Sequence, residues 1–150
     1  MYYTMLNQIT VFLENKPGRL EEVTRTLADE NINLHALSIA DTTDFGILRM
    51  IASDPDKAVR VLKEKGFMVK TASVIALAMG HSPGSLHKVL RELQTLDISI
   101  EYMYAFTSRH SDYDAIVILS LSDQDAAVSK LNGAGFSILG GELLDQLCKS

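Results

Sequence analysis

The residues with chemistry to offer begin at Glu14-Asn15-Lys16-Pro17-Gly18, a polar loop that leads into the amphipathic stretch RLEEVTRTLAD. Proline beside a helix start leaves the first N–H groups of that helix pointing out of the turn. Gly18 removes the side chain that would block an approaching ligand. Such a helix start attracts an anion such as a carboxylate, and Asn15 beside it carries both a donor and an acceptor. The combination suits a zwitterion. The competing reading is an Asn-capped helix in which Pro-Gly serves only the turn. Asn33, in DENIN, opens the next strand and reads either as a turn residue or as a polar group of the same site. The loop and that strand can converge on one cleft if the strand's edge lies against another unit.

Catalytic and metal-binding patterns are missing. The spacings GxSxG, HExxH, GxGxxG and that of a phosphate-binding loop do not occur. The acidic pairs Asp54/Asp56 and Asp123/Asp125 fall at predicted helix starts, where the helix dipole accounts for them. His110-Ser111-Asp112-Tyr113-Asp114 contains metal-ligand types, but it reads as a solvated hairpin loop. His87 reads as a surface residue, and His81 stands where Asn15 stands in an internal repeat described below. Cys148 is the only cysteine, so it has no disulfide partner and no second thiol for a metal. No metal, no cofactor and no catalytic residue is expected, and the chain is read as a non-enzyme.

Composition narrows the partners. The 150 residues are 47% hydrophobic and 22% charged, with a formal net charge of −5 and the basic residues scattered. That gives nucleic-acid phosphates no electrostatic footprint. Tyr102, Tyr104 and Phe106 alternate along a predicted strand, as in an RNA-binding stacking platform, yet FGILRMIA and AIVILSL lack the basic, glycine and aromatic pattern of the matching RNA-binding strand. The start, MYYTMLNQITVF, has no basic leader region, and the apolar run from Val74 to Met79 is far below membrane-spanning length. A soluble, cytoplasmic protein with no nucleic-acid or membrane partner is expected.

The chain repeats itself. ENKPGRLEEVTRTLADENINL aligns with GHSPGSLHKVLRELQTLDISI, pairing Pro17-Gly18 with Pro83-Gly84, Val23 with Val89 and Leu27 with Leu93. SDPDKAVRVLKEKGF matches SDQDAAVSKLNGAGF three residues later in phase, which places an insertion in TSRHSDYD. Each half would be marginally stable alone, so two similar units are expected to pack together.

Within a unit the hydrophobic period alternates. Ile9, Val11 and Leu13 follow the two-residue rule of a strand. Leu20, Val23 and Leu27, and again Leu86, Val89, Leu90 and Leu93, make helical stripes. INLHALSIA and FGILRMIA, separated by Asp41 to Asp44, predict an antiparallel hairpin. Ser53 or Asp54 caps a second helix with Pro55 in its first turn and Gly66 at its end, and a last strand starts at Phe67. The order βαββαβ predicts α+β units of ferredoxin-like type, each an antiparallel sheet with both helices on one face. The expected boundary lies near Thr71, giving units at 1–70 and 71–150, and exposed second-strand edges are expected to make a homodimer.

Over ITVFLENKPGRLEEVTRTLADENINL the sequence resembles an ACT domain, and the resemblance extends over both repeats. ACT domains are regulatory modules that bind amino acids or other small metabolites, usually where two such domains meet. Asn15 and Asn33 match the positions whose asparagines hold serine in the regulatory domain of phosphoglycerate dehydrogenase. The resemblance therefore implies binding of a free L-amino acid by Asn15, Pro17, Gly18, Arg19, Leu20 and Asn33. A second candidate site, at His81, Gly84, Ser85 and Ser99, departs from that pattern, with His81 for Asn15 and Ser99 for Asn33. The implied role is a stand-alone sensor that regulates amino-acid metabolism. The rival role is a regulatory subunit of a biosynthetic enzyme such as acetolactate synthase.

Overall fold

The computed structural model describes residues 5–41, 44–80, 82–107, 115–141 and 144. The chain divides into two compact units, Asn7–Ala72 and, with Met1–Leu6, Ser73–Ser150. In chain order the elements of the first are β1 (Met5–Glu14), α1 (Arg19–Asp29), β2 (Leu34–Asp41), β3 (Phe45–Ala52), α2 (Pro55–Glu64) and the opening residues of β4 (Met68–Met79). The remainder of β4 opens the second unit, followed by α3 (Ser85–Gln94), β5 (Ile100–Thr107), β6 (Ala115–Leu121), α4 (Gln124–Gly133) and β7 (Ser137–Leu139). The predicted βαββαβ order is what the chain adopts, twice.

The first unit's strands lie in the order β2-β3-β1-β4. Val11 faces Leu48 and Ile9 faces Met50 across the antiparallel β1–β3 pair. These four side chains are at most 1% exposed and meet Val23 and Leu27 of α1 and Ala58, Val61 and Leu62 of α2, so both helices cover one sheet face. Burying each such aliphatic chain contributes roughly 1.5–3 kcal/mol. The second unit repeats this with strand order β7-β4-β6-β5 and a core of Ile75, Leu77, Val89, Leu93, Val117, Leu119, Val128 and Leu131.

Local signals recur at matching places. Asp54 accepts from the Lys57 N–H at 3.2 Å with Pro55 in the first turn of α2, and Asp123 accepts from the Ala126 N–H at 3.1 Å at the start of α4. After α1 the chain turns through Asn31 (φ 57°), and after α3 through Asp97 (φ 55°), residue types that tolerate the left-handed region. The Ser53 N–H donates to the Asn33 carbonyl at 2.8 Å while the Ser53 hydroxyl accepts from the Asn33 N–H at 2.9 Å. Ser122 and Ser99 reproduce both bonds at 3.0 Å.

Three side-chain placements differ from the periodic reading. Leu20, assigned to the buried stripe of α1, is 38% exposed, and Leu86 and Leu90 are only half-buried on α3. No helix among the described residues is long and apolar enough to cross a membrane.

Candidate functional site

The loop between β1 and α1 is built by Gly18. Its φ of 88° turns the chain so that α1 begins at Arg19, and no side chain caps this start. Pro17 therefore lies just outside the helix, ahead of the capping position. Asn15 does not act as the cap either, since its amide Nδ2 donates to Asp41 Oδ1 at 3.4 Å, across to the end of β2. The leading N–H groups of an α-helix have no intrahelical acceptor. Here that of Arg19 makes a long bond, 3.4 Å, to the Lys16 carbonyl.

Beside this start lies a cavity of about 300 Å³ lined by Leu13, Glu14, Asn15, Lys16, Pro17, Arg19, Leu20, Ile39 and Gly46. Gly46 leaves it open: a Cβ there would sit 3.7 Å from Ile39 Cδ1 and 3.8 Å from Asn15 Oδ1. Its charge is carried by a cluster at the rim. Lys16 pairs with Glu14 at 2.9 Å, and Arg19 pairs with Glu22 at 2.8 Å and with Glu14 at 3.8 Å. The hydrogen bond from Lys16, then the Lys16 and Arg19 charges, hold the Glu14 carboxyl below the usual carboxylate range. Glu14 is thus an anion at neutral pH, suited to receive an ammonium group.

A second cavity of about 240 Å³ adjoins, lined by Phe12, Glu14, Arg19, Phe45, Gly66, Phe67 and Met68. Glu14 and Arg19 wall both. The Arg19 guanidinium lies over the Phe67 ring, 4.8 Å from its centroid, and its buried Nε makes no hydrogen bond.

Of the residues expected at the site, the structure gathers Asn15, Pro17, Arg19 and Leu20 around the first cavity, with Gly18 forming the turn beside it. Asn33 is not brought to them within the unit. It sits beyond the far end of the 11-residue helix α1, about 16 Å long at 1.5 Å per residue, with its Oδ1 accepting from the Leu34 N–H at 3.0 Å. Sequence reasoning missed Glu14, Lys16, Ile39 and Gly46. Glu14 and Lys16 flank Asn15 in the loop itself, and Gly46 stands out as a glycine near the head of a strand that is apolar apart from Arg49.

In the second unit Gly84 repeats the φ of 88° and α3 again starts without a side-chain cap. Ser85 is half-buried, and its hydroxyl lies 2.9 Å from that of Ser82. Ser99 opens β5 through the backbone bonds described above. His81 and the run from His110 to Asp114 lie outside the described residues. His87 is exposed on α3. Tyr102, Tyr104 and Phe106 are half-buried opposite Ser120, Ile118 and Ile116, on the strand face away from Met103 and the helices. Among the described residues no three His, Cys, Asp or Glu side chains are grouped to hold a metal ion. A larger cavity, about 770 Å³, lies at the start of α4, where Asp123 already caps the helix and Asp125 adds a second negative charge. It disfavours an anion.

The model of a family described as the ACT domain pair matches residues 4–132. Protein BT0572 from Bacteroides thetaiotaomicron is 42% identical, with 98% of this chain and 100% of that chain covered and a TM-score of 0.90. The ligand-free regulatory subunit of aspartate kinase from Thermus thermophilus is 15% identical, with 86% of this chain and 91% of that one covered and a TM-score of 0.61. Its counterpart from Thermus flavus is 14% identical over 85% and 91%, with a TM-score of 0.58. At that identity the Thermus subunits share the fold. No curated protein sequence matches.

Proposed function

The chain belongs to the ACT domain family, as a pair of such domains, and from that premise we propose that it is a non-catalytic sensor of a free L-amino acid. The observation that carries the proposal is the uncapped start of α1 opening on a cavity whose wall holds Glu14 and Asn15. The ligand carboxylate takes the N–H groups at the head of α1, where the helix dipole favours negative charge. The ammonium takes the Glu14 carboxylate and the Asn15 Oδ1. Pro17 and Leu20 cover the apolar side.

Surface chemistry supports a second copy closing this site. Among the described pairings β2 bonds only to β3, and along it Leu37 and Ile39 are 48% and 52% exposed. An apolar strand edge of this kind invites pairing with another. Leu20, also exposed, and Ile39 line the cavity, so a partner laid along β2 covers the ligand and brings its own Asn33 within the assembly. The signal then passes to an enzyme or regulator of amino-acid metabolism. The reading as a regulatory subunit has behind it the fold shared with the Thermus thermophilus aspartate kinase subunit. Copurification of a catalytic subunit separates it from the stand-alone sensor.

Melting the protein against the twenty amino acids at millimolar concentration tests the proposal. A ligand at about 100 times its dissociation constant adds about 2.7 kcal/mol, or about 5–10 °C for a chain of this size. Asn15→Ala should abolish most of the shift. No shift with any amino acid, or an unchanged shift in Asn15→Ala, removes the reading.

A further inference from the structure

Resting on the sensor reading above, we propose that the cavity between Phe12, Phe45, Phe67 and Met68 receives the ligand's side chain, so that the first unit selects amino acids with large apolar side chains. Three aromatic rings and a thioether line the cavity, together with a glycine, Gly66, that adds no side chain. The charged residues among its described lining, Glu14 and Arg19, already face each other at 3.8 Å, and Arg19 is further held by Glu22 at 2.8 Å. With Glu14 taken by the ligand's ammonium and Arg19 still paired with Glu22, the cavity offers a charged side chain no free partner, and burying one there costs more than it returns.

Size points the same way. An apolar cavity of about 150 Å³ accommodates benzene, so 240 Å³ has room for a phenyl, isobutyl or thioether side chain. Phenyl groups and sulfur gain further from aromatic neighbours through edge contacts. Continuity fixes the occupant, because Glu14 and Arg19 wall this cavity and also the one at the head of α1 where the ligand's polar end is placed. Phe45 is 49% exposed and Met68 65% exposed, apolar surface that such a side chain would cover. The repeat lacks the arrangement: Ala78 stands for Phe12, Gly80 for Glu14, Ser85 for Arg19, Asp114 for Phe45 and Ser137 for Met68. The selectivity belongs to one unit.

The test is calorimetry of the full chain with L-leucine, L-phenylalanine, L-methionine, L-alanine and L-serine, on the wild type, Phe45→Ala, Met68→Ala and Asn15→Ala. Both cavity substitutions are at exposed positions and leave the core intact, so an unchanged melting point without ligand certifies the fold. A hydrophobic pocket separates ligands that differ by one methylene by about 10–200-fold. The expected result is that the best large ligand binds at least about tenfold tighter than alanine, and that Phe45→Ala or Met68→Ala erodes this ratio. Alanine or serine binding as well as leucine, with Asn15→Ala still abolishing binding, overturns the side-chain assignment and leaves the sensor reading standing. A large-ligand preference unchanged in both cavity variants also overturns the assignment. Binding of no amino acid at all overturns both.

Discussion

At the heads of α1 and α3 the chain adopts one conformation twice, with Gly18 and Gly84 both at φ 88°, neither helix capped by a side chain, and the same Pro-Gly in front. Around those identical starts the side chains diverge. Glu14, Asn15, Lys16 and Arg19 in the first unit answer to Gly80, His81, Ser82 and Ser85 in the second. The helix start alone is therefore a structural device that both units need. What distinguishes the first is the charged rim of Glu14, Lys16 and Arg19. Duplication preserves what packing demands and leaves the chemistry of the loop free to change.

The comparison is most exposed to test in the two cores. Leu27 and Leu93 occupy matching places, each 1% exposed, on the inner face of the third turn of its helix. Leu27→Ala and Leu93→Ala should each cost about 2–5 kcal/mol, measured by urea unfolding, because each leaves a cavity in a packed core. Costs that differ by several kcal/mol would show that the units are not equivalent in packing.

Much of this equivalence was legible in the sequence, and the reasons are local. The offset of 66 residues between Pro17-Gly18 and Pro83-Gly84, and of 69 between Asp54 and Asp123, marks backbone positions where few residue types serve. Val23, Leu27, Val89 and Leu93 follow the helical period because burial enforces it. Exposure at element ends was harder to read. Leu20, Leu37 and Ile39 look like core residues by period alone, yet all three are exposed, the last two on the edge strand β2. The site was half legible. Asn15, Pro17, Gly18 and Arg19 are neighbours in sequence and so fall together, whereas Ile39 and Gly46 reach them only through the β2–β3 pairing. Asn33 shows the converse, since its nearness to Asn15 in the chain is undone by the length of α1.

A smaller effect separates backbone demand from ligand chemistry. At Gly18 and at Gly84 an added Cβ would meet nothing within 4 Å, so alanine there carries only the penalty of the left-handed conformation. Gly18→Ala and Gly84→Ala should each lower stability by about 1–2 kcal/mol, with equal shifts of the denaturant midpoint. Only Gly18→Ala should also weaken the amino-acid response. Equal loss of that response from both changes would place a working site in each unit.

The least energetic contrast is that of Glu14 with Gly80, and it is also the one that speaks most directly to the ligand. Lys16 and Arg19 hold the Glu14 carboxyl below its ordinary range. A carboxylate depressed in the folded protein contributes above its unfolded pKa and loses that contribution as pH falls through the folded value. The window therefore lies on the acid side, below about pH 4.3, the usual midpoint of a glutamate. The Glu14 side chain is 51% exposed, so solvent and salt screen the interaction and the change in global stability should be slight. The local readout is sharper. In a carboxyl NMR titration Glu14 should protonate below the ordinary midpoint of a glutamate, and Lys16→Ala, which removes the hydrogen bond and the nearer charge, should move its midpoint upward. If Glu14 receives the ligand ammonium, ligand affinity measured by calorimetry should fall as pH descends through that midpoint. In Glu14→Gln the affinity should already be low and should decline less over the same interval. A wild-type acid-side decline that Glu14→Gln leaves unaltered would assign the ammonium to another partner and remove the sharpest chemical difference between the two loops.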